Sequence, residues 1–277
     1  MPDAAATSSL DMPNEASPRE RYAAAAIRHA PLIDRQLAPL GLLALRALDP
    51  QPGETILDIG CGMGQTVLQL AEHVGSSGQV IGVDIEPAFL EIAKIRALAA
   101  PQARFIAMDA AHLNLPDASV DGIFSRFGVM AFEDPLRAFA NFRRMAKPGA
   151  RLSFTCWRSL EENELDHLPV RAAALPNPVV PGPFSMECPS HVERTLRSAG
   201  FRDLQVTRMD RPVSAGNVDS TLALVTGVGA LGRILREHPE LLAEAAPRVR
   251  IALDAKERAR NGDVWLNAAC WLVTGRA

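Results

Sequence analysis

Chemistry is first suggested by the stretch Leu57, Asp58, Ile59, Gly60, Cys61, Gly62, Met63, Gly64. Glycines at every second position let the backbone take positive φ and let a ligand come close to it. Asp58 stands two residues before the first glycine. A carboxylate there could hold an ammonium or order nearby waters and amides, and it would repel a pyrophosphate. The dinucleotide fingerprint needs Gly-x-Gly-x-x-Gly. Here the third glycine comes one residue early and Gln65 takes its place. Asp84 closes the apolar run from Gln79. Its two oxygens suit the two hydroxyls of a ribose. Asp84 alone fits either cofactor class, whereas Asp58 favours a cofactor without phosphates.

The elements that must position these residues are legible around them. Residues 54–60 form a short apolar run ending in glycine, and Val67, Leu70, Ala71 and Val74 then repeat at a helical period. Residues 79–84, 104–108, 120–125 and 151–157 read as four further strands. One helix opens at Pro87, a favoured first-turn residue. Another spans 135–147 with Phe139, Phe142 and Ala146 inward, and Pro148-Gly149 is expected to stop it. Strands separated by helices mean right-handed βαβ units and a mostly parallel sheet, whose ligands bind at the carboxyl ends of the strands.

Around this middle zone, residues 1–20 read as a disordered tail and 21–49 as helical, interrupted at Pro31 and Pro39. Residues 158–277 continue the same domain. Their insertions at 158–199 and 211–262 are expected to cover a substrate, the first as an ordered irregular wall rich in proline. A helix is expected at 189–199, strands at 203–209 and 264–274, and helical stretches near 217–237 and 240–260.

The 277 residues allow one elaborated domain or two small ones. Hydrophobic residues at 48% and charged residues at 22% are ordinary for a globular chain and exclude wholesale disorder or a fibrous repeat. A net charge of -3 shows no footprint for neutralising phosphates, so no nucleic-acid partner is expected. Cys61, Cys156, Cys188 and Cys270 form no C-x-x-C pair and no zinc spacing, so no metal is expected. The polar N-terminus does not read as a secretory signal, and no run of about 18 apolar residues could span a membrane. A soluble cytoplasmic protein is expected.

At this point the chain resembles the class I S-adenosylmethionine-dependent methyltransferases, in their ubiquinone/menaquinone methyltransferase-like, small-molecule branch. The resemblance covers residues 50–157. It lies in the glycine loop at 57–64, the strand Val80–Asp84, the turn Met108-Asp109-Ala110 followed by Leu115-Pro116-Asp117, the strand end Phe124-Ser125-Arg126-Phe127, and the stretch Arg143–Gly149. It implies an α/β, Rossmann-like doubly wound sheet of about seven strands with the last antiparallel, a SAM-binding core at 50–157, and helical covers. It also implies S-adenosyl-L-methionine as cofactor, with S-adenosyl-L-homocysteine as product.

Carried over by position, Gly60, Gly62 and Gly64, with Cys61 between them, would let the cofactor's methionine part lie against the backbone. Asp58 would hold its amino group and Asp84 its ribose. Ile85 would pack on the adenine, whose amino group Asp109 would accept beside the Ala110 amide. Ser125 and Arg126 would lie near the sulfonium and the acceptor.

Methyl transfer is an in-line displacement that asks mainly for alignment and exclusion of water. The resemblance further implies an N-terminal helical lid at 21–49, with Tyr22 and His29 as candidate catalytic residues in it, and His167 beside Asp166 after the fifth strand, where relatives place substrate residues. The expected acceptor is a small, partly apolar molecule. Methylation of protein or RNA, a non-catalytic cofactor-binding relative, a nicotinamide oxidoreductase and a homodimer all stay open.

Overall fold

The computed structural model describes residues 16–175, 184–257 and 262–277. The predicted tail therefore lies mostly outside the described residues. Its last three positions are already helical, because Ser17 and Glu20 close a capping box on α1 (Pro18–Arg28). His29 separates α1 from α2 (Ala30–Leu48). Pro31 sits in the first turn of α2, where its missing N–H costs nothing, but Pro39 lies inside a helix that runs straight past it. The predicted break at Pro39 does not occur. Leu40, Ala44, Leu45 and Leu48 bury one face of α2, and that burial offsets the lost hydrogen bond.

The core then alternates as its apolar runs dictate: β1 (Thr55–Ile59), α3 (Gln65–Val74), β2 (Gln79–Asp84), α4 (Pro87–Arg96), β3 (Ala103–Ala107), β4 (Val120–Arg126), α5 (Pro135–Met145) and β5 (Ala146–Trp157). Helix α5 ends two residues before its predicted limit. Pro148 and Gly149 lie inside a strand that already pairs with β4 at Ala146. The register shift between Val120 and Gly122 accommodates the proline, which cannot donate to a ladder.

Beyond β5 come α6 (Glu164–Ala173), α7 (Pro189–Ser198), β6 (Arg202–Gly216), α8 (Val218–Gly227), α9 (Gly229–Glu237), α10 (Leu242–Glu257) and β7 (Val264–Arg276). The first insertion thus holds a helix, α6, where an irregular wall was expected; its residues 176–183 lie outside the described set. Strand β6 is 15 residues long, about twice the predicted run.

The seven strands are ordered β3-β2-β1-β4-β5-β7-β6. The first five are parallel, and β7 runs antiparallel to both β5 and β6. The chain leaves β1 toward one edge and β4 toward the other, so the crevice between their carboxyl ends is the topological switch point. The pleat sends Ile56 and Phe124 to the layer of α2 and α3, and their neighbours Leu57 and Ile123 to the larger core containing Phe139, Phe142 and Phe154.

Candidate active site

The glycine loop leaves β1 in a turn that side chains would block. Gly60 has φ +67, and a Cβ there would lie 2.5 Å from the Gly128 Cα. A Cβ on Gly128 would in turn lie 2.3 Å from the Ile59 oxygen. Ser125 locks this contact: its hydroxyl donates to the Ile59 carbonyl at 2.7 Å and accepts from the Gly128 N–H at 3.1 Å. Ser125 is buried and holds two loops together. The Gly60 and Cys61 amides bond the Val83 carbonyl at 2.8 and 3.0 Å, bringing the loop onto β2. The Cys61 thiol is buried beneath the loop, and burial together with Asp58 and Asp84 keeps it protonated.

Asp58 is fully buried. Its Oδ2 accepts from the Thr66 hydroxyl at 2.5 Å, while Oδ1 has no partner. Burial pushes its carboxyl up to about 7, against the Thr66 hydrogen bond and the positive Arg126 nearby. An orphaned buried carboxylate oxygen under a bare glycine loop is a fit for an ammonium. The Arg126 guanidinium is itself buried behind the loop, where it donates to Gln65 Oε1 and lies 4.0 Å from Asp34. Asp34 is also held by Arg96 at 2.8 Å. Arg126 therefore acts on Asp58 through its field.

At the end of β2, Asp84 accepts from the Gly62 N–H at 2.8 Å and the Glu86 N–H at 2.9 Å, one on each oxygen. Each oxygen keeps a lone pair for a hydroxyl. Burial raises this carboxyl, opposed by the two backbone N–H groups. Ile85 is exposed beside it, and Met108 is exposed after β3. Asp109 caps the short helical turn 110–112, accepting from Ala111 at 2.9 Å, and meets His112 at 3.1 Å. Ala110 is buried at the start of that turn.

Helix α1 packs beside this crevice. Arg19 on α1 donates to the Ile85 carbonyl and pairs with Glu86 at 2.8 Å. Tyr22 packs edge-on against Phe89 at 6.2 Å, and the Arg236 guanidinium lies 5.3 Å from its ring centre. The phenol is pushed up, mainly by desolvation.

Beneath α1, α2, α6, α8 and α9 is a chamber of about 660 Å³. Phe127 and Trp157, stacked at 3.9 Å, form the part of its wall at the strand ends. Phe127 holds φ +62, a costly conformation for an aromatic residue. Tyr22 and Arg19 belong to this wall as well, so the chamber adjoins the crevice at Asp84. Asp166 also lines it, accepting from the Ala230 N–H at 3.0 Å, and burial raises its carboxyl. His167 is not among the lining residues, and its Nδ1 is buried without a partner. His29 packs against Gly227 at the α8–α9 junction and does not line the chamber.

The sequence reading named His167 with Asp166 beside it, and of the two only Asp166 lines the chamber; it missed Arg21 and Arg236. The only signal for the arginines was their helical positions, which become neighbours through the fold alone. Among the described residues no three metal-binding side chains cluster, and no single helix is long and apolar enough to cross a membrane. Trp271 faces away from the chamber, with its Nε1 donating to the Glu187 carbonyl at 2.7 Å.

A methyltransferase-domain family model matches residues 57–154. The O-methyltransferase cnsE of Penicillium expansum is 30% identical over 203 residues, covering 71% of this chain and 70% of that protein. Nocamycin O-methyltransferase of Saccharothrix syringae is 27% identical over 259 residues, covering 86% and 90%. The 2-phytyl-1,4-naphtoquinone methyltransferase of Trichormus variabilis is 39% identical over 112 residues, and the chain spans about half of its length, 49%. Among solved structures, phosphoethanolamine N-methyltransferase 2 of Haemonchus contortus shares the fold with a TM-score of 0.59 at 18% identity, over 96% of this chain and 61% of that one.

Proposed function

The chain belongs to the class I S-adenosylmethionine-dependent methyltransferases, and we propose that it methylates a small, largely apolar acceptor held in the chamber under α1, α2, α6, α8 and α9. The observation that carries this reading is the concave, mostly apolar chamber itself, which adjoins the crevice at Asp84. A concave, mostly apolar site with a few polar groups suits a small molecule, whereas a protein or RNA acceptor calls for an open groove.

When bound, the cofactor supplies a methyl group already activated on a positive sulfur. The chain supplies the rest. The Oδ1 of Asp58 holds the ammonium, and Gly60, Cys61, Gly62 and Gly64 offer backbone. Asp84 takes the ribose hydroxyls. Ile85 covers the adenine, and Asp109 and the Ala110 amide meet its edge. Ser125 and Arg126 act one layer behind, on the loop and on Asp58.

Helices α1 and α9 keep water from the acceptor, with Tyr22 between cofactor crevice and chamber. Asp166 is the chamber's proton acceptor for a hydroxyl being methylated, and His167 supports it from behind. His29 serves the lid by filling the space left by Gly227. Free thiols at all four cysteines favour the cytoplasm. Two relatives that match most of the chain are named O-methyltransferases, which favours an oxygen acceptor here.

Calorimetric titration of S-adenosylmethionine, S-adenosylhomocysteine and NADH tests the reading. Both adenosyl compounds should bind in the micromolar range, and Asp84→Ala should weaken them by about ten- to a hundredfold. Absence of adenosyl binding, or binding of NADH in its place, overturns the proposal.

A further inference from the structure

Four guanidiniums line the chamber, from Arg19 and Arg21 on α1 and Arg233 and Arg236 on α9. Two of them have counter-charges of their own. Arg19 pairs with Glu86 at 2.8 Å, and Arg233 lies 3.6 Å from Glu237. Arg21 and Arg236 form no ion pair within 4.0 Å among the described residues. Arg21 donates one N–H to the Ala16 carbonyl, and its Nε is buried without any partner. Arg236 donates to the Gly227 carbonyl and otherwise faces the Tyr22 ring. Among the described lining residues the carboxylates are Asp166 and Glu237, and Glu237 lies beside Arg233 and also favours the charge on Arg236. Arg21 and Arg236 are close enough that Arg21 disfavours the charge on Arg236.

Two like charges at one cavity wall, short of a counter-ion and with a buried donor unsatisfied, are costly unless a ligand completes them. Guanidinium forks match a planar anion in charge and geometry, and do so better than lysine would. Resting on the methyltransferase reading, we infer that the acceptor is an amphipathic acid. Its carboxylate, or an equally acidic group, is received between Arg21 and Arg236, and its apolar body lies along Phe127, Trp157 and Met130. The arginines then set which end of the acceptor enters the chamber, and Asp166, of opposite charge, is left for the end to be methylated.

The test uses the full chain saturated with S-adenosylhomocysteine and two probes of nearly equal shape, biphenyl-4-carboxylate and biphenyl-4-carboxamide. Binding is read by calorimetry and by the change in intrinsic tryptophan fluorescence, to which Trp157 at the chamber wall contributes. The carboxylate should bind at least about tenfold tighter than the carboxamide. Arg21→Gln and Arg236→Gln should each remove most of that preference while S-adenosylhomocysteine still binds, and Arg236→Lys should restore part of it.

Equal affinity for the two probes in the wild type, binding of neither at millimolar concentration, or a preference that survives both glutamine substitutions overturns the inference. Each of these outcomes leaves the methyltransferase reading standing. Failure of S-adenosylhomocysteine itself to bind the wild type strikes that reading instead, and the inference with it.

Discussion

A single carboxyl group links cofactor affinity to pH. Asp58 is held at about 7 by burial, far above the ordinary 3.8 of an aspartate. Between those values the folded chain keeps a proton that the unfolded chain has lost. Stability therefore falls as pH rises through that window, and the penalty is complete above pH 7. Asp58→Asn removes it. The variant without cofactor should be more stable than the wild type at pH 8, by on the order of 2–4 kcal/mol, with the gap closing toward pH 4. Urea denaturation at both pH values measures this. The same proton competes with the cofactor's ammonium, so S-adenosylhomocysteine affinity should fall below pH 7 by up to about tenfold per pH unit. That slope should vanish in Asp58→Asn, along with most of the affinity; a slope that persists places the ammonium elsewhere. Asp58 could be proposed as a site residue from its place before the glycines. Its missing partner was not, because only packing shows which oxygen Thr66 leaves free.

At the level of elements, the proposed lid is α1. It begins at a capping box and is tied to the sheet by Arg19, half exposed, against Glu86 and the Ile85 carbonyl. An ion pair so placed contributes at most about 1 kcal/mol. Arg19→Ala should thus speed amide exchange across residues 18–28 by up to about fivefold. Bound S-adenosylhomocysteine should slow exchange in the same helix. Mass spectrometry of deuterium uptake reads both, and unchanged exchange on ligand binding would remove α1 from the role of lid. The strands and helices of the middle zone were legible because buried apolar runs and glycine turns repeat there. Pro39 and Pro148 misled, since local rules name proline a breaker while the surrounding burial and a strand bulge absorb it.

For the molecule as a whole, the parts that cover the acceptor must be joined to the parts that hold the cofactor. Arg158, at the end of β5 and only 1% exposed, makes that joint. Its guanidinium pairs with Asp210 on β6 at 2.6 Å and with Glu162, and lies 5.2 Å from the Trp271 ring on β7. Arg158→Ala leaves two carboxylates facing each other with only Arg208 for company. The cost should be about 2–4 kcal/mol, a fall in Tm of roughly 5–10 °C, and Arg158→Met should recover part of it by restoring the packed stem. Calorimetry of the variants checks this; an unchanged Tm would mean that β5 and β6 are held without it.

The sequence by itself brought together the residues of the proposed cofactor half. Asp58, the glycines and Asp84 sit within 27 residues of one another, on a strand, a loop and the next strand, so their spacing already carries their geometry. The order β3-β2-β1-β4-β5 was not legible in the periodicity, because the crossover rule fixes the hand of each βαβ unit and not which edge the next strand joins. The acceptor half was decided only by tertiary structure. Arg21 and Arg236 are 215 positions apart, and Phe127, Trp157 and Asp166 come from three different elements. No periodicity links such residues. They meet because α8 and α9 fold back over the strand ends beside α1, and that packing makes the chamber.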